Sequence, residues 1–530
     1  MSTTSTPEAP TAETIAVTNP RTGEVLYEFQ EPTPEEVQAA YGRARTAFDV
    51  IRRMSVAERV AEISKLKKHL VENKEEIAGQ IAAEAGKCIT DALLIDLFPS
   101  IDLIDYYEKN AESLLADQKV KATPMLMGKK CQIQLMPMGP VLVISPWNYP
   151  FLLSFMPALC AFVAGNSVII KPAKDTPLKP VYDALFKDIG FLKDAIQVVH
   201  ASRRTAELLI DAKPAKIMFT GSVGVGRHIM SRAAEHLIPV ELELGGKDPF
   251  IVFNDANVER AVKGALWGAF ANAGQTCTGV ERIFVQEGVY DRFVELLSDQ
   301  AKRIITPDKH EAGADERDLT MGTMCTERQL AEVERQVADA RANGATILTG
   351  GDRVGDSMVF PPTVVTDVTT DMMIQAEETF GPTVTVMKFA TEEEVIELAN
   401  DSPYGLSASV WTADPERGNR VARELEAGMV CVNNHNATGA HPALPFGGVK
   451  DSGMGRYKGL HGLQSFSHTK AVVIDKDSAP PEPHWYPYGQ EKFRLLSKVI
   501  DTLFGEGGLK MLRLLPIGAK LQSKAKKESL

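Results

Sequence analysis

The chain has 530 residues, 44% of them hydrophobic and 24% charged, which is enough for two or three sizeable cores. A formal net charge of −12 argues against general nucleic-acid binding and favours solubility. Six cysteines without a C-x-x-C pair make neither a zinc site nor a disulfide framework, so a reducing, cytoplasmic setting is expected.

Met1 to Thr18 is rich in Thr, Ala and Pro, with neither a basic start nor an apolar core. It reads as a disordered leader, of which residues 1–14 stand outside the domains. No uninterrupted apolar run approaches transmembrane length. From about Thr33 to Asn110 the pattern is helical. Apolar residues recur at three-to-four spacing over Glu35 to Phe48 and Val56 to Glu72, and Lys74 to Ala85 continues it. Lys119 to Met138, polar and Met-rich, alternates as a β-hairpin or arm does.

The texture then changes to α/β. Val141 to Ile144, Ser167 to Ile170, Gln197 to Val199 and Lys216 to Phe219 read as strands with helices between them, the mark of a parallel sheet. Past Cys277 a second cycle follows. Arg282 to Val285, Ala345 to Leu348, Thr383 to Phe389 and Ala408 to Trp411 are expected strands. Tyr290 to Ile304 and Glu327 to Ala342 are expected helices.

Several short motifs are set into this frame. Val240 to Lys247 delivers Glu243 from an apolar strand into a double-glycine turn, where backbone can approach a ligand closely. Gly274 to Gly279 leaves Cys277 between small and polar residues, with its sulfur reachable. A thiolate nucleophile and a carboxylate base suit capture of a carbonyl carbon and hydrolysis of the acyl-enzyme. Ser145 to Pro150 carries Asn148 between aromatics, fixed by two prolines, as a donor into a dry pocket or as an Asn satisfying its own turn. Phe219 to Gly226 follows a strand and opens a helix, the context of a phosphate site, without being G-x-G-x-x-G. Each also has a plain alternative: Cys277 as an inert core residue, Glu243 as an ion-pair partner, Glu378 as a solvated loop carboxylate, and Lys171 as a surface cation.

The motifs occur together and in order, and that combination resembles the aldehyde dehydrogenase superfamily from about Ile15 to Asp475. The segments that carry it are Pro146 to Pro150, Lys171-Pro172-Ala173, Gly221-Ser222 with Gly226, Glu243 to Lys247, Gly274 to Cys277, Glu378-x-Phe380-Gly381-Pro382 and Pro445 to Gly448. The resemblance implies an α/β fold with a Rossmann-type NAD(P)-binding domain (15–118 and 138–245) and an α/β catalytic domain (246–445). A small β oligomerisation arm (119–137 and 465–476) completes it, with assembly as a homodimer or tetramer. It places the nucleophile at Cys277, the general base at Glu243, and the oxyanion donor at Asn148 together with the Cys277 N–H. Lys171 and Glu378 match residues at the cofactor riboses. Trp147, Leu244 and Phe380 match cofactor-pocket positions, and Gly221 and Ser222 match the pyrophosphate contact. No metal is implied.

Two departures bear on the choice between NAD and NADP. Lys174 stands where NAD-preferring relatives often carry a glutamate, and a cation there could pair with a 2′-phosphate. His200 to Thr205 replaces a glycine-rich turn, and Arg203 or Arg204 either adds to a basic patch or lies on the surface at a helix start. Tyr149, Leu152, Leu153 and Met156 are apolar at positions that line the substrate tunnel of relatives, which favours an aliphatic or aromatic aldehyde. Succinate semialdehyde stays open as the alternative. Further readings are a CoA-acylating relative, disfavoured by Glu243, and a catalytically retired scaffold.

After Asp475 the composition shifts to a Pro/Tyr-rich linker and a basic tail (478–530). From Ala479 to Leu530 nine Lys/Arg face five Asp/Glu, a local +4 against −16 for the rest. Phe493, Leu496, Ile500, Leu503 and Phe504 recur at helical spacing, and Leu509, Leu512, Leu515 and Ile517 follow a glycine break. Such a tail either meets a membrane surface through residues 491–530 or packs on protein.

Overall fold

Thr33 and Ser55 each close a reciprocal capping box, with Glu36 and Glu58 respectively, so the helices Pro34–Ile51 and Val56–Glu72 start on local chemistry alone. The computed structural model describes residues 13–311, 313–506 and 510–527. The chain forms two units. One holds residues up to Ala116 together with Leu135–Thr469, and the other holds Asp117–Gln134 and the chain from Lys470 onward.

Among its described residues the first unit contains a two-stranded sheet and two large ones. In one, parallel strands stand in the order Val240–Glu243, Lys216–Thr220, Val141–Ile144, Val168–Lys171 and Ile196–Val198, with Gly453–Met454 antiparallel at the edge. All four residues of Val141–Ile144 are buried, as a strand covered on both faces requires. The chain builds outward from this strand and then returns to its other side with Lys216–Thr220. That reversal opens a crevice beyond the carboxyl ends of the two strands. The turns Ser145 to Pro150 and Gly221-Ser222 both leave from those ends.

The other large sheet runs Thr346–Thr349, Thr363–Thr366, Thr383–Phe389, Val280–Gln286, Asp248–Val252, Ser407–Trp411 and Met429–Val432, parallel except for its first pair. Expected strands and helices recur here, Thr383–Phe389 and Glu327–Ala342 with the same ends and the others with ends moved by at most three residues. Asp248–Val252, Thr363–Thr366 and Met429–Val432 escape the sequence pattern because they are short and begin at polar residues or beside glycine and proline.

The leader reading needs correction. Thr14–Thr18 is a strand paired antiparallel with Val25–Gln30, and Val17 is buried. Alternation of Ile15 and Val17 with polar neighbours suffices for a hairpin once a partner strand is present. Residues 1–12 lie outside the described ones.

In the second unit, Gln118–Val120 pairs antiparallel with Lys130–Pro137 within a three-stranded sheet that Ser467–Ile474 completes. Two helices, Gln490–Phe504 and Lys510–Lys527, pack against each other and bury Leu495 and Leu521. The single apolar stripe read from the sequence divides here. Leu496 and Leu503 line an apolar groove of about 470 Å³ with Val499 and Leu514, whereas Phe493, Ile500 and Phe504 stay exposed. Leu509 lies outside the described residues. Among the described residues no helix is long and apolar enough to cross a membrane.

Candidate active site

Asn148 sits just beyond strand Val141–Ile144, in a turn clamped by a fully buried ion pair that no local pattern announces. Lys87 Nζ lies 2.9 Å from Asp96 Oδ2 and donates to the Asn148 carbonyl at 2.6 Å. Asp96 Oδ1 in turn accepts from the Phe151 and Leu152 N–H groups. Removing either partner would strand the other charge in the core, so the turn is held firmly.

The loop carrying Cys277 is pinned just as tightly. Asn272 and Ala273 both adopt φ of 54°, a strained left-handed geometry for residues with a Cβ. Asp91 accepts the Asn272 N–H at 3.0 Å, and Asn272 Nδ2 donates to the carbonyls of Asn148 and Gln275. Gln275 Oε1 accepts from Cys325 N, and the Tyr149 hydroxyl meets Thr276 Oγ1 at 2.6 Å. Asn148 Nδ2 donates to the Gln275 carbonyl at 3.0 Å, which ties the turn to the cysteine loop. An amide carries two N–H donors, so this bond leaves one to serve the Cys277 side.

Glu243 ends its strand with backbone partners on both edges, Thr220 on one side and Gly453 on the other. Its side chain is buried, and neither carboxyl oxygen has a hydrogen-bond partner among the described residues. Burial first, and then the charge of Glu241, drive its pKa well above the usual carboxylate range, while Arg456 and Lys458 oppose the shift. Gly447 has φ of 150°, and a Cβ there would come within 2.7 Å of Glu243 Oε1. The Pro445 to Gly448 segment therefore provides a surface over which this carboxyl can lie.

Cys277 is half-buried and, like Leu152, packs against the large apolar core to which Met156 belongs. Burial pushes its thiol pKa far up, and the carboxylates of Glu378, Asp248 and Glu243 push the same way. The resting sulfur is thus a thiol, and its reactive fraction grows with pH. Alkylation of the cofactor-free enzyme by iodoacetamide is expected to accelerate about tenfold per pH unit between about pH 7 and 9. A plateau already at neutral pH, read by mass spectrometry of the Cys277 peptide, would mean a preformed thiolate.

A half-buried cysteine thus lies within electrostatic reach of a buried unpaired carboxyl, and a side-chain amide is bonded to the loop that carries it. The aldehyde dehydrogenase family model matches residues 8–472. The chain belongs to the aldehyde dehydrogenase family. It is 39% identical over 499 residues to a 4,4'-diapolycopene aldehyde oxidase of Methylomonas sp, covering 94% of this chain and 92% of that protein. It is 36% identical over 471 residues to the mitochondrial succinate-semialdehyde dehydrogenase of Hylobates lar, covering 87% and 86%. Among solved structures, the NAD+ complex of aldehyde dehydrogenase from Bacillus cereus superposes with a TM-score of 0.81 at 35% identity, covering 87% of this chain and 93% of that one. As a member of the family the chain is an aldehyde-oxidising enzyme that uses NAD or NADP.

The side of this aldehyde dehydrogenase expected to hold the cofactor has a suitable donor set. Lys171, at the end of strand Val168–Lys171, is buried. Burial depresses its pKa to about 8 against the pull of Asp175 and Glu31. Ser222 caps the helix Val223–Ala234 without any side-chain capping bond, so the hydroxyl and the first-turn N–H groups can face an anion. Leu244 is buried beside that helix, and Gly221 forms the turn that leads into it. Trp147 and Phe380 meet edge to face at 5.5 Å, a pair of aromatic walls.

Glu378 accepts the Gly246 N–H at 3.0 Å, and any Cβ on Gly245 would come within 2.2 Å of its carboxyl, which is why that turn needs glycine. Its pKa is pushed up to about 8 by burial first and Glu281 next, with the Gly246 N–H and Lys247 acting in opposition. Glu281 and Lys247, a buried pair absent from the sequence reading, hold this loop: Glu281 accepts the N–H groups of Thr379 and Phe380, and Lys247 donates to Thr379 Oγ1.

Lys174 is exposed and forms no ion pair among the described residues. Arg203 and Arg204 open the helix Arg203–Asp211, and Arg204 lies 3.7 Å from Glu31. Part of the arginine charge is therefore directed at Glu31. On the substrate side Tyr149, Leu153 and Met156 are buried and Leu152 is half-buried. Among the described residues no His, Cys, Asp and Glu cluster could hold a metal ion.

Proposed function

We propose that the enzyme oxidises an apolar aldehyde to its carboxylic acid through a covalent intermediate on Cys277, in the cytoplasm and as a homo-oligomer. The reading rests above all on one observation: the unpaired buried Glu243 is near enough to Cys277 to act on it electrostatically, and the Asn148 amide is bonded to the loop that carries the cysteine. The Cys277 thiol gives up its proton to water, its sulfur adds to the carbonyl carbon, and the oxygen that becomes negative is received by the second Asn148 N–H and the Cys277 backbone N–H. Bound NAD(P)+ supplies the acceptor for the two electrons removed from the aldehyde carbon. Lys171 and Glu378 would hold the riboses, Gly221, Ser222 and Leu244 the pyrophosphate side, and Trp147 and Phe380 the walls. Glu243, once its own proton has passed to solvent, takes a proton from water as that water attacks the Cys277 thioester. Residues 119–137 and 465–476 would serve as the oligomerisation arm.

Support for an apolar substrate comes from the apolar core against which both Cys277 and Leu152 pack, and from the relative whose name specifies 4,4'-diapolycopene aldehyde. A carboxylated semialdehyde is the competing substrate class, and the succinate-semialdehyde dehydrogenase relatives favour it. A panel of hydrocarbon aldehydes and semialdehydes with NAD+ and NADP+ decides. Higher kcat/KM for succinate semialdehyde than for any hydrocarbon aldehyde would overturn the apolar assignment.

Lys174 offers a cation next to Lys171, whose pKa it helps to depress. Lys174→Glu is expected to lower the ratio of kcat/KM for NADP+ to that for NAD+ by about tenfold, since a carboxylate repels a 2′-phosphate by at least about 1.4 kcal/mol. An unchanged ratio would mean that Lys174 does not face the adenosine.

A further inference from the structure

We propose that the C-terminal helices of the second unit form a peripheral docking surface for an anionic lipid bilayer. The helix Gln490–Phe504 carries Phe493, Ile500 and Phe504 seven and four residues apart, hence on one face. They are 77%, 59% and 80% exposed. On the same helix exposed Arg494 and Asp501 stand at one edge of that ridge, and exposed Lys498 lies further round toward the opposite face. On Lys510–Lys527, exposed Leu512 and Leu515 occupy the first half, and exposed Lys520, Lys526 and Lys527 the second.

The linker exposes further aromatic rings close to this helix. Trp485, Tyr486 and Tyr488 are all more than half exposed. They are not carried on a loose strand, because Lys492 Nζ donates to the carbonyls of Trp485 and Pro487 and fastens the segment to the helix. The Tyr486 and Tyr488 rings stand 4.6 Å apart.

Three features select lipid as the occupant. Trp and Tyr beside aliphatic residues match the headgroup boundary, where one end of a ring is dry and the other wet. On Lys510–Lys527 the exposed lysines continue the side of Leu512 and Leu515, where their stems can lie along apolar surface while the ammonium meets lipid phosphate. The tail carries +4 within a chain of −12, so its charge favours an anionic surface against the sign of the whole protein. A two-fold contact between two such ridges would set these like charges against each other. The helices are also too short and too charged to span a bilayer, so the contact is peripheral.

The proposal is independent of the catalytic assignment, and its test reads binding. Full-length enzyme is co-sedimented with phosphatidylcholine vesicles, with and without phosphatidylglycerol, at low and high salt. Pelleting with phosphatidylglycerol vesicles at low salt is expected, with affinity falling about tenfold or more in high salt or without the anionic lipid. The combined variant Phe493→Ser, Ile500→Ser, Phe504→Ser should bind at least about tenfold more weakly while oxidising a short water-soluble aldehyde as the unmodified enzyme does. Recovery in the supernatant with every vesicle overturns the proposal, as does wild-type binding by the variant. A change of oligomeric state in the variant, seen by sedimentation velocity, would assign the ridge to a second copy and also overturn it.

Discussion

Cys277→Ala is expected to lower kcat for aldehyde oxidation about a thousandfold or more while the protein stays folded and still takes up NAD(P)+. No other described cysteine offers a substitute: Cys88, Cys160, Cys325 and Cys431 are buried, and Cys131 lies in the second unit's hairpin. The substitution removes one sulfur from a loop already pinned by Asn272, Gln275 and Thr276, so the cost to stability should be about 1 kcal/mol. Turnover with an aldehyde panel, cofactor titration by fluorescence, and thermal melting separate the two effects. Turnover above a few per cent of the unmodified enzyme would remove Cys277 from the mechanism. Loss of cofactor binding together with activity would point to collapse of the loop instead.

Glu243→Gln should split the reaction in time. Glutamine keeps the volume of a side chain packed over Gly447 but cannot take a proton, so thioester hydrolysis is expected to slow about a hundredfold to ten-thousandfold. Acylation should proceed nearly as before. Rapid mixing then shows a burst of NAD(P)H close to one per active site, followed by a slow steady state. Loss of the burst along with the steady state would place Glu243 in the deprotonation of Cys277. Burial and Glu241 favour the neutral carboxyl and burial holds the thiol protonated, so Glu243 must first lose its own proton before it can act as a base toward either water or thiol. The proton balance of this pair is therefore the main point on which the mechanism turns.

Much of this was legible in the order of residues. Helix starts such as Thr33 and Ser55 depend on side chains three residues away, and the buried strands on runs such as Val141 to Ile144, so both follow from local pattern. The motif around Cys277, Glu243 and Asn148 was recognisable because its spacing along the chain is distinctive. The tail's helices were visible for the same reason, although their single apolar stripe divided into an inner and an outer face once Leu495 and Val499 took the interior.

Local pattern could not reveal what holds those residues in place. Lys87 and Asp96 look like ordinary helix-region charges, and only the fold brings them to the Asn148 turn some fifty to sixty positions later. Glu281 grips the backbone at Thr379 and Phe380 across about a hundred residues, and Gly447 reaches Glu243 from more than two hundred away. The protonation of Cys277 and Glu243 belongs to the same class. It depends on which charges are near and how little water reaches them, and neither is written in neighbouring residues. The sequence by itself determined which reactive groups the chain carries and the local elements that bear them. Tertiary packing decided their distances, their partners and their charge, because each of those is a sum over contacts between segments far apart in the chain.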